Sequence, residues 1–241
     1  MPTIWYDGLV KKTEPIAPNV KRFFLETPAL QSFDFKAGQF VTMDLPIGDK
    51  RLQRWRSYSI ASPPDGSNVV ELCVVRSASG EGTRYLFEEV REGSTLRCKG
   101  PDGGFVLPDL IERDLVFVCT GTGVAPFRSM LLDLKNSGRA HRGLHLIFGT
   151  RREQDILYRA DFEALAREWP QFRYDVALSR QPEWPGHKGR VHAIYQQHYT
   201  PARPDVAFFL CGWTQMIDEA VAHLVAEMRY SPKQVLYELY G

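Results

Sequence analysis

The sequence predicts a two-domain protein, an antiparallel β-barrel followed by an α/β domain with a parallel sheet. Up to about Leu107, apolar residues alternate in short segments separated by turn-forming residues, a pattern typical of a small antiparallel barrel. From about Asp114, strand-like runs alternate with helical stretches, which indicates βαβ units. The polar residues 108–113 separate the two patterns, so we place the domains at residues 1–110 and 111–241.

The elements of each domain follow in chain order. Strand-like segments of the barrel half cover residues 20–26, 39–45, 57–61, 69–75 and 95–99. Strand-like runs of the second half cover residues 115–119, 144–148, 172–178 and 206–211, and its helical stretches include residues 126–136, 159–168 and 214–230. The second half is therefore expected to form a Rossmann-like sheet.

The bulk composition narrows the classes of function. Lys and Arg number 30 against 29 Asp and Glu, so the net charge gives no indication of a nucleic-acid surface. No apolar run approaches the roughly 18 residues expected of a membrane helix, and the start of the chain lacks the apolar core of a signal peptide. We therefore expect a cytoplasmic protein that neither binds nucleic acid nor inserts into a membrane.

Neither the cysteines nor the histidines form a metal-binding pattern. The four cysteines are far apart, without the clustered spacing that an iron–sulfur centre requires. Cys73, Cys119 and Cys211 lie in apolar strand-like runs, where a thiol acts as a small buried hydrophobe. The six histidines form no HExxH-like arrangement. We expect no bound metal.

A glycine-rich turn follows the first strand of the second half. It runs from Thr120 through Gly121, Thr122 and Gly123 to Pro126. Glycines let the backbone approach a ligand, and proline suits a first helical turn, so amides at the helix start can face a phosphate. The turn lacks the third glycine of the GxGxxG pattern, and any α/β protein can carry a tight strand-to-helix turn.

A second candidate segment lies in the barrel half. Arg56, Tyr58 and Ser59 place a cation, an aromatic ring and a hydroxyl at alternating positions of a predicted strand, where we expect them to share one face. Such a face can hold charge, a flat ring and a hydrogen bond together. Taken alone, the same residues also suit an ordinary solvated strand face.

Five motifs in a fixed order resemble the ferredoxin-NADP reductase family of flavoproteins. They are RSYSIAS from Arg56, GPDGGFVL from Gly100, TGTGVAPFRS from Thr120, LCGW from Leu210 and the terminal YELYG from Tyr237. They span nearly the whole chain. The resemblance implies that the barrel binds a flavin and that the second domain binds a nicotinamide nucleotide.

The resemblance assigns flavin contacts residue by residue. It places Arg56 on the flavin pyrophosphate, Tyr58 against the isoalloxazine ring and Ser59 near the reactive nitrogen, because guanidinium pairs with phosphate and an aromatic face covers a flat ring. FAD is favoured over FMN, because RSYSIAS is similar to the FAD-binding branches.

Further barrel residues are assigned in the same way. Val74, Arg76, Gly82 and Thr83 resemble the family's second flavin segment, with Gly82 and Thr83 on the pyrophosphate. A glycine-bearing turn into a short helix capped by Thr83 is the alternative. In GPDGGFVL the resemblance implies that Pro101, Gly103 and Phe105 shape the flavin floor and the domain joint.

In the second domain the resemblance implies pyridine-nucleotide contacts. Residues 120–123 and Pro126 mark the pyrophosphate and nicotinamide region, and Cys211 and Gly212 end a predicted strand beside the nicotinamide. We assign Cys211 a positioning role and not a nucleophilic one.

The choice between NADPH and NADH depends on cations that hold the 2′-phosphate. Ser179, Arg180 and Arg190 resemble the pattern of NADPH-using bacterial reductases, with the two arginines as a clamp and Lys188 as an aid. NADPH is preferred on that ground, although some NADH-dependent relatives share Ser–Arg.

The C-terminus carries two more candidates. Glu238 and Tyr240 resemble the family's terminal ExY, which implies a carboxylate near the nicotinamide and an aromatic ring over the flavin. This chain departs from the plant pattern by an extra glycine, Gly241, and the alternative is a final edge strand with an exposed aromatic side chain.

The resemblance implies an FAD-dependent oxidoreductase that moves electrons between NADPH and a one-electron carrier such as ferredoxin or flavodoxin, with Ser59, Cys211 and Glu238 shaping the reacting site. The alternatives are an NADH-dependent reductase component of an oxygenase, a flavin or quinone reductase, and a non-catalytic nucleotide-sensing subunit. We expect a monomer or weak dimer.

Cations outnumber carboxylates nine to five between residues 11 and 56, which favours an acidic carrier as partner. Six of these cations define a basic rim: Lys11, Lys12, Lys21, Arg22, Arg51 and Arg54. Lysines that protect solvated strand edges are the alternative.

Overall fold

The computed structural model describes residues 4–240, and within them the chain forms two compact units. The first unit contains the residues up to Leu107 together with Ala125–Ser137, and the second contains Pro108–Val124 and the residues from Gly138 onward. The helix after the glycine-rich turn therefore packs with the barrel half. The domain ranges 1–110 and 111–241 stay predictions.

The first unit is a six-stranded antiparallel sheet with the strand order β4-β3-β6-β1-β2-β5. Its strands are β1 Tyr6–Ala17, β2 Val20–Glu26, β3 Phe40–Asp44, β4 Trp55–Ser59, β5 Val69–Val75 and β6 Thr95–Asp102. A bridge between Ile60 and Leu72 joins the two outer strands, and the Ala61 amide donates to the Glu71 carbonyl at 2.7 Å. The sheet thus closes on itself, which confirms the predicted barrel.

Strand β1 was not among the predicted strands. Its pairing with β2 shifts register between Val10 and Lys12 and again between Pro15 and Ala17. Each shift is a bulge, and a bulge interrupts the period of two on which recognition from sequence depends.

Three helices belong to the first unit, α1 Arg51–Arg54, α2 Glu81–Glu88 and α3 Ala125–Ser137. Helix α3 packs through Phe127, whose ring centroid lies 5.8 Å from that of Phe105. Arg128 donates to the Ala61 carbonyl at 2.9 Å, and Ser129 donates to the Ser62 carbonyl at 2.6 Å. Part of the TGTGVAPFRS motif therefore attaches α3 to the loop after β4.

The second unit is a six-stranded parallel sheet with the order β10-β9-β8-β7-β11-β12, which confirms the predicted α/β domain. Its strands are β7 Asp114–Thr120, β8 Leu144–Thr150, β9 Phe172–Leu178, β10 His187–Lys188, β11 Val206–Trp213 and β12 Val235–Tyr240. Strand β10 has two residues, too few for any periodicity to reveal.

The helices of the second unit are α4 Arg159–Glu168, α5 His192–His198 and α6 Thr214–Val221. The helical stretch predicted over residues 214–230 is helical as far as Glu227, because α6 continues as a π-helical stretch at Ala222–Glu227, and only residues 228–230 lie outside it. The core beneath it centres on Phe208, whose ring lies 4.8 Å from Tyr230 and 5.5 Å from Tyr199.

Within residues 4–240, three features bear on the expected location and metal content. No helix there is long and apolar enough to cross a membrane. No group of three or more His, Cys, Asp or Glu side chains in that range is placed to hold a metal ion. All four cysteines are buried free thiols.

Candidate functional site

Strand β4 presents the flavin candidates on two faces and not on one. Its register pairs Arg56 with Met43, Tyr58 with Val41 and Ser59 with Phe40. Because side chains alternate along a strand, Arg56 and Tyr58 share a face while Ser59 lies on the opposite one. The expectation that all three share a face is therefore wrong for Ser59, which is buried at the end of the strand.

The Tyr58 hydroxyl is a buried polar atom without a hydrogen-bond partner among residues 4–240. Burial raises the pKa of this phenol to about 12, so the hydroxyl stays protonated. A buried donor without a partner is costly, and a ligand that accepts a hydrogen bond here removes the cost.

Arg56 and the start of helix α2 lie side by side. Arg56 Nη1 donates to the carbonyls of Leu52 at 3.1 Å and Trp55 at 2.8 Å, and no carboxylate of the described chain pairs with this guanidinium. A β-carbon added at Gly82 would lie 3.0 Å from Arg56 Cγ, so the first turn of α2 lies directly against Arg56. Helix amides and a guanidinium suit a pyrophosphate.

The other residues of the predicted second flavin segment have structural partners. The Thr83 hydroxyl accepts from the Ser77 amide at 3.0 Å and donates to the Gly80 carbonyl at 3.1 Å, while Gly80, without a side chain, occupies the N-cap position. Arg76 pairs with Glu88, and Val74 is buried in the barrel core. The side chains of Thr83, Arg76 and Val74 are thus engaged within the protein, and their predicted flavin contacts stay predictions.

The second sheet has its topological switch point between β7 and β11. The chain runs from β7 through β8 and β9 to β10 in one direction, and then returns to place β11 on the other side of β7. Ligands of open α/β sheets bind beyond the carboxyl ends of strands at such a point. Residues 120–123 follow β7 there, and Cys211 and Gly212 lie at the end of β11.

Register brings the C-terminal candidates to the same edge. Cys211 pairs with Cys119 on one side and Glu238 on the other, and Trp213 pairs with Tyr240. Strand β12 is the edge strand that the alternative interpretation described, with Tyr240 half-buried. Gly241 lies outside the described residues.

The glycine-rich turn is helical from its second residue. Gly121–Val124 forms a 3₁₀ turn that leads into α3 at Ala125, so the helical path begins before Pro126. Because each amide of a 3₁₀ turn bonds to the carbonyl three residues earlier, the amides without an intrahelical acceptor lie at the very start of this turn, ahead of Pro126.

Two glycines allow the ends of β7 and β11 to touch. A β-carbon at Gly123 would lie 2.4 Å from the Cys211 carbonyl oxygen, and one at Gly212, where φ is +137°, would lie 2.5 Å from Thr120 Oγ1. Thr120 Oγ1 also accepts from the Trp213 amide at 3.3 Å. Gly123 therefore allows close packing of the two backbones, whereas the sequence indicated that its lack of a side chain lets a ligand approach.

Cys211 is fully buried, and burial raises its pKa well above the ordinary range of a thiol. It stays protonated at physiological pH, which agrees with a positioning role and disfavours nucleophilic chemistry.

The two predicted clamp arginines follow neighbouring parallel strands, at equivalent positions beyond the strand ends. Strand β10 pairs Lys188 with Leu178, so Arg190 and Arg180 each lie two residues beyond the last pair. Arg180 is exposed and its guanidinium has no ion pair within residues 4–240, whereas Arg190 Nη1 donates to both carboxylate oxygens of Glu219, at 2.8 and 2.7 Å. Lys188 is exposed beside them.

One cation at this edge was missed from sequence. Arg151 follows β8, and its carbonyl accepts from the Arg180 amide at 2.9 Å. The signal available was an arginine directly after a predicted strand, at the sheet edge where ligands gather.

Most cations of the basic rim have partners of opposite charge. Lys11 pairs with Glu26, Lys12 with Glu14, Arg22 with Glu14 and Glu71, and Arg54 with Asp44. Lys21 donates to the Phe87 carbonyl, and Arg51 lies over the Trp55 ring. The edge-strand alternative is wrong for Lys11, Lys12, Lys21 and Arg22, because β1 and β2 are interior strands.

Two domain families match the chain. An oxidoreductase FAD-binding domain matches residues 7–107, and an oxidoreductase NAD-binding domain matches residues 117–222. Their order is that of the barrel and the parallel sheet.

The relatives that are at least 30% identical to this chain include two reductases. The chain is 36% identical over 242 residues to ferredoxin–NADP reductase B of Sorangium cellulosum, covering 98% of this chain and 97% of the relative. It is 32% identical to the reductase component DmpP of phenol 2-monooxygenase from Pseudomonas sp. strain CF600, covering 91% of this chain but 61% of that one.

Solved structures agree in fold. The cytochrome P450 reductase GcoB of Amycolatopsis superposes with a TM-score of 0.86 at 27% identity, over 99% of this chain and 70% of the other. A ferredoxin NADP⁺ reductase from Neisseria gonorrhoeae, with bound FAD and NADP, gives 0.79 at 24% identity over 99% of both chains. At that lower identity the likeness concerns the fold alone.

Proposed function

This chain belongs to the ferredoxin-NADP reductase family of flavoproteins, whose members are FAD- and pyridine-nucleotide-dependent oxidoreductases, and on that premise we propose that it moves electrons between NADPH and a one-electron carrier such as ferredoxin or flavodoxin. The observation that carries the proposal is the convergence of the predicted nucleotide residues on the switch point of the parallel sheet.

The barrel supplies the flavin contacts in this proposal. Arg56 and the amides at the start of α2 hold the pyrophosphate, and Tyr58 covers the ring system and offers its buried hydroxyl. The flavin supplies the ability to accept a hydride and to release electrons singly. Ser59 keeps its predicted place near the reactive nitrogen as a proposal, although it leaves β4 on the other face.

The parallel sheet supplies the nucleotide contacts. The amides at the start of the 3₁₀ turn Gly121–Val124 bind the pyrophosphate, and Cys211 and Gly212 position the nicotinamide from the end of β11. Glu238 lies on the strand paired with Cys211. Pro126 sets the start of α3, and Tyr240 ends the neighbouring edge strand. No residue here needs to act as a strong base, because hydride transfer depends on distance and stacking.

NADPH is preferred in the proposal because Arg180, Ser179 and Arg190 lie together at the ends of β9 and β10. Arg180 has its charge available, and Lys188 and Arg151 add cations at the same edge. We further propose a cytoplasmic location and a monomeric or weakly dimeric state, which fractionation and size-exclusion chromatography test.

A reductase component of an oxygenase is the second candidate. The 32% identical relative DmpP, the reductase component of phenol 2-monooxygenase, supports it, and that relative is longer, with 61% of its length covered. A flavin or quinone reductase and a nucleotide-sensing subunit stay as further alternatives.

One experiment separates these functions. The purified protein is examined for a flavin spectrum, and the flavin is released and identified by mass. Anaerobic mixing with NADPH or NADH then measures flavin reduction, and cytochrome c reduction with added ferredoxin or flavodoxin measures onward transfer. Flavin bleaching by NADPH with carrier-dependent cytochrome c reduction is expected. A colourless protein that cannot be reconstituted, or binding without reduction, contradicts the proposal.

A further inference from the structure

The ion pair between Arg190 and Glu219 is not predicted by any motif in the sequence. The two residues are 29 positions apart, with Arg190 after β10 and Glu219 on helix α6. Both carboxylate oxygens accept from Arg190 Nη1, at 2.8 and 2.7 Å. The guanidinium thus gives one nitrogen to Glu219, and no bond to a described residue engages its Nε or Nη2.

Glu219 is held where it is by two more donors. Gln215 Nε2 bonds to Oε1 at 2.9 Å, one helical turn before Glu219, and His192 Nε2 bonds to Oε2 at 2.9 Å. His192 Nδ1 lies 2.9 Å from the Tyr195 hydroxyl, which lies 2.9 Å from His223 Nδ1. With His192 donating from Nε2, its Nδ1 accepts from Tyr195, and Tyr195 accepts from His223. This series of hydrogen bonds holds the Glu219 carboxylate against Arg190.

The carboxylate is ionised under physiological conditions. Hydrogen bonds from Arg190 and Gln215 lower the pKa of Glu219 to about 2. The Arg190–Glu219 pair therefore has no net charge, although the Arg190 side chain is 63% exposed.

A 2′-phosphate meets the two arginines differently. It carries close to two negative charges at neutral pH and gains most from a cation whose charge is not already compensated. Arg180 offers such a charge, and Arg190 offers hydrogen-bond donors with a carboxylate fixed behind them. The repulsion between phosphate and carboxylate opposes the attraction to the guanidinium.

We infer that Glu219 is a specificity-determining residue that, through its ion pair with Arg190, limits the preference of this chain for a 2′-phosphorylated dinucleotide over one with a free 2′-hydroxyl. The inference rests on the proposed function, because it requires the nucleotide to bind at the ends of β9 and β10. The relative affinity for NADPH and NADH would then depend on a residue of α6 that bonds to one of the two clamp arginines, Arg190.

The test replaces Glu219→Gln, which keeps a hydrogen-bond acceptor and removes the charge. Isothermal titration measures the dissociation constants of NADP⁺, NAD⁺, adenosine 2′,5′-bisphosphate and 5′-AMP for the holoprotein. We expect about two- to fivefold tighter binding of the two 2′-phosphorylated ligands, the range for an exposed ion pair, and unchanged binding of the other two. Asp218→Asn removes the same charge from the adjacent exposed position of α6 and is expected to change none of the four.

A double substitution shows whether the effect passes through Arg190. In an Arg190→Ala background, Glu219→Gln is expected to give a clearly smaller gain for NADP⁺ than in the wild-type chain. An unchanged NADP⁺ to NAD⁺ ratio in Glu219→Gln, weaker NADP⁺ binding, or an equal gain in Asp218→Asn overturns the inference while leaving the proposed function in place. Failure of the wild-type protein to bind either dinucleotide overturns both.

Discussion

The carbonyl oxygen of Cys211 lies where a side chain at Gly123 would begin, 2.4 Å from an ideal β-carbon. We expect Gly123→Ala to force β7 and β11 apart at their carboxyl ends, because the obstructing atoms are backbone. A cost of about 1–3 kcal/mol in the free energy of unfolding is expected, with weakened dinucleotide binding. Urea denaturation and NADP⁺ titration measure the two effects. Gly104→Ala, where a β-carbon meets nothing within 4 Å, is the control.

Arg56→Ala is expected to release the flavin. Its guanidinium has no carboxylate partner in the described chain and lies against the first turn of α2, so its removal takes the cation from the proposed pyrophosphate site. The ratio of flavin to protein absorbance after gel filtration measures the loss. Arg91→Ala is the control, because that guanidinium bonds to the carbonyls of Val90 and Glu88. Full flavin occupancy in Arg56→Ala contradicts the assignment.

Arg180→Ala is expected to separate the two nicotinamide nucleotides. Loss of a charge-assisted hydrogen bond to the 2′-phosphate is worth about 1.5–3 kcal/mol, roughly a 10- to 100-fold weaker affinity for NADPH. The affinity for NADH is expected to stay nearly the same. Arg167→Ala, an exposed arginine on α4, removes an equal charge from the same unit as a control. Equal losses for NADPH and NADH argue against a 2′-phosphate clamp.

Glu71→Ala is expected to destabilise the barrel unit strongly. Its carboxylate is 4% exposed and accepts from Arg22 at 2.7 and 2.9 Å and from Arg128 of α3 at 3.2 Å. Removing it takes away the buried carboxylate that Arg22 and Arg128 share, at a cost of about 3–5 kcal/mol. Chemical denaturation of Glu71→Ala is compared with Glu26→Ala, whose pair with Lys11 is more exposed and for which about 1 kcal/mol or less is expected.

Stability is expected to fall on mild acidification through His145. This ring is buried between Tyr199 and Asp175, and burial lowers its pKa below the ordinary 6.5. Between the lowered pKa of the folded state and the ordinary pKa of 6.5, the unfolded state binds more protons than the folded state. The contribution of His145 to stability is therefore complete above about pH 6.5, and below it is lost at up to about 1.4 kcal/mol per pH unit. His145→Asn is expected to flatten this slope in urea titrations from pH 7.5 to 5. His141→Asn, outside the cluster, is expected to keep it.

Sequence periodicity predicts the regular parts of both units. The observed strands β2, β5 and β9 and helix α4 have the bounds that the apolar pattern indicates, because each is one uninterrupted amphipathic or buried segment. Strand β1 was missed because of its bulges. The helical stretch from Thr214 was predicted, but its change to a π-helix at Ala222 was not, because composition does not distinguish a π-helical from an α-helical stretch.

The candidate site is predicted as a set of residues and not as an arrangement. The motifs identify Arg56, Tyr58 and Ser59 but not that β4 turns Ser59 to the other face. They identify Arg190 but not Glu219, because ion pairs between distant segments leave no local signal in one sequence. The packing of α3 on the barrel is not predictable for the same reason, because Phe127, Arg128 and Ser129 contact residues that are distant in the sequence.

The place of α3 has a consequence for anyone who divides or recombines this chain. A fragment that stops at residue 110 would lack α3, whose Arg128 pairs with the Glu71 carboxylate and whose Phe127 packs against Phe105. Replacing everything after residue 110 with the nucleotide-binding domain of another protein would also replace α3, which packs with the barrel. Chimeras should therefore keep Phe127, Arg128 and Ser129 matched to the barrel from which they come.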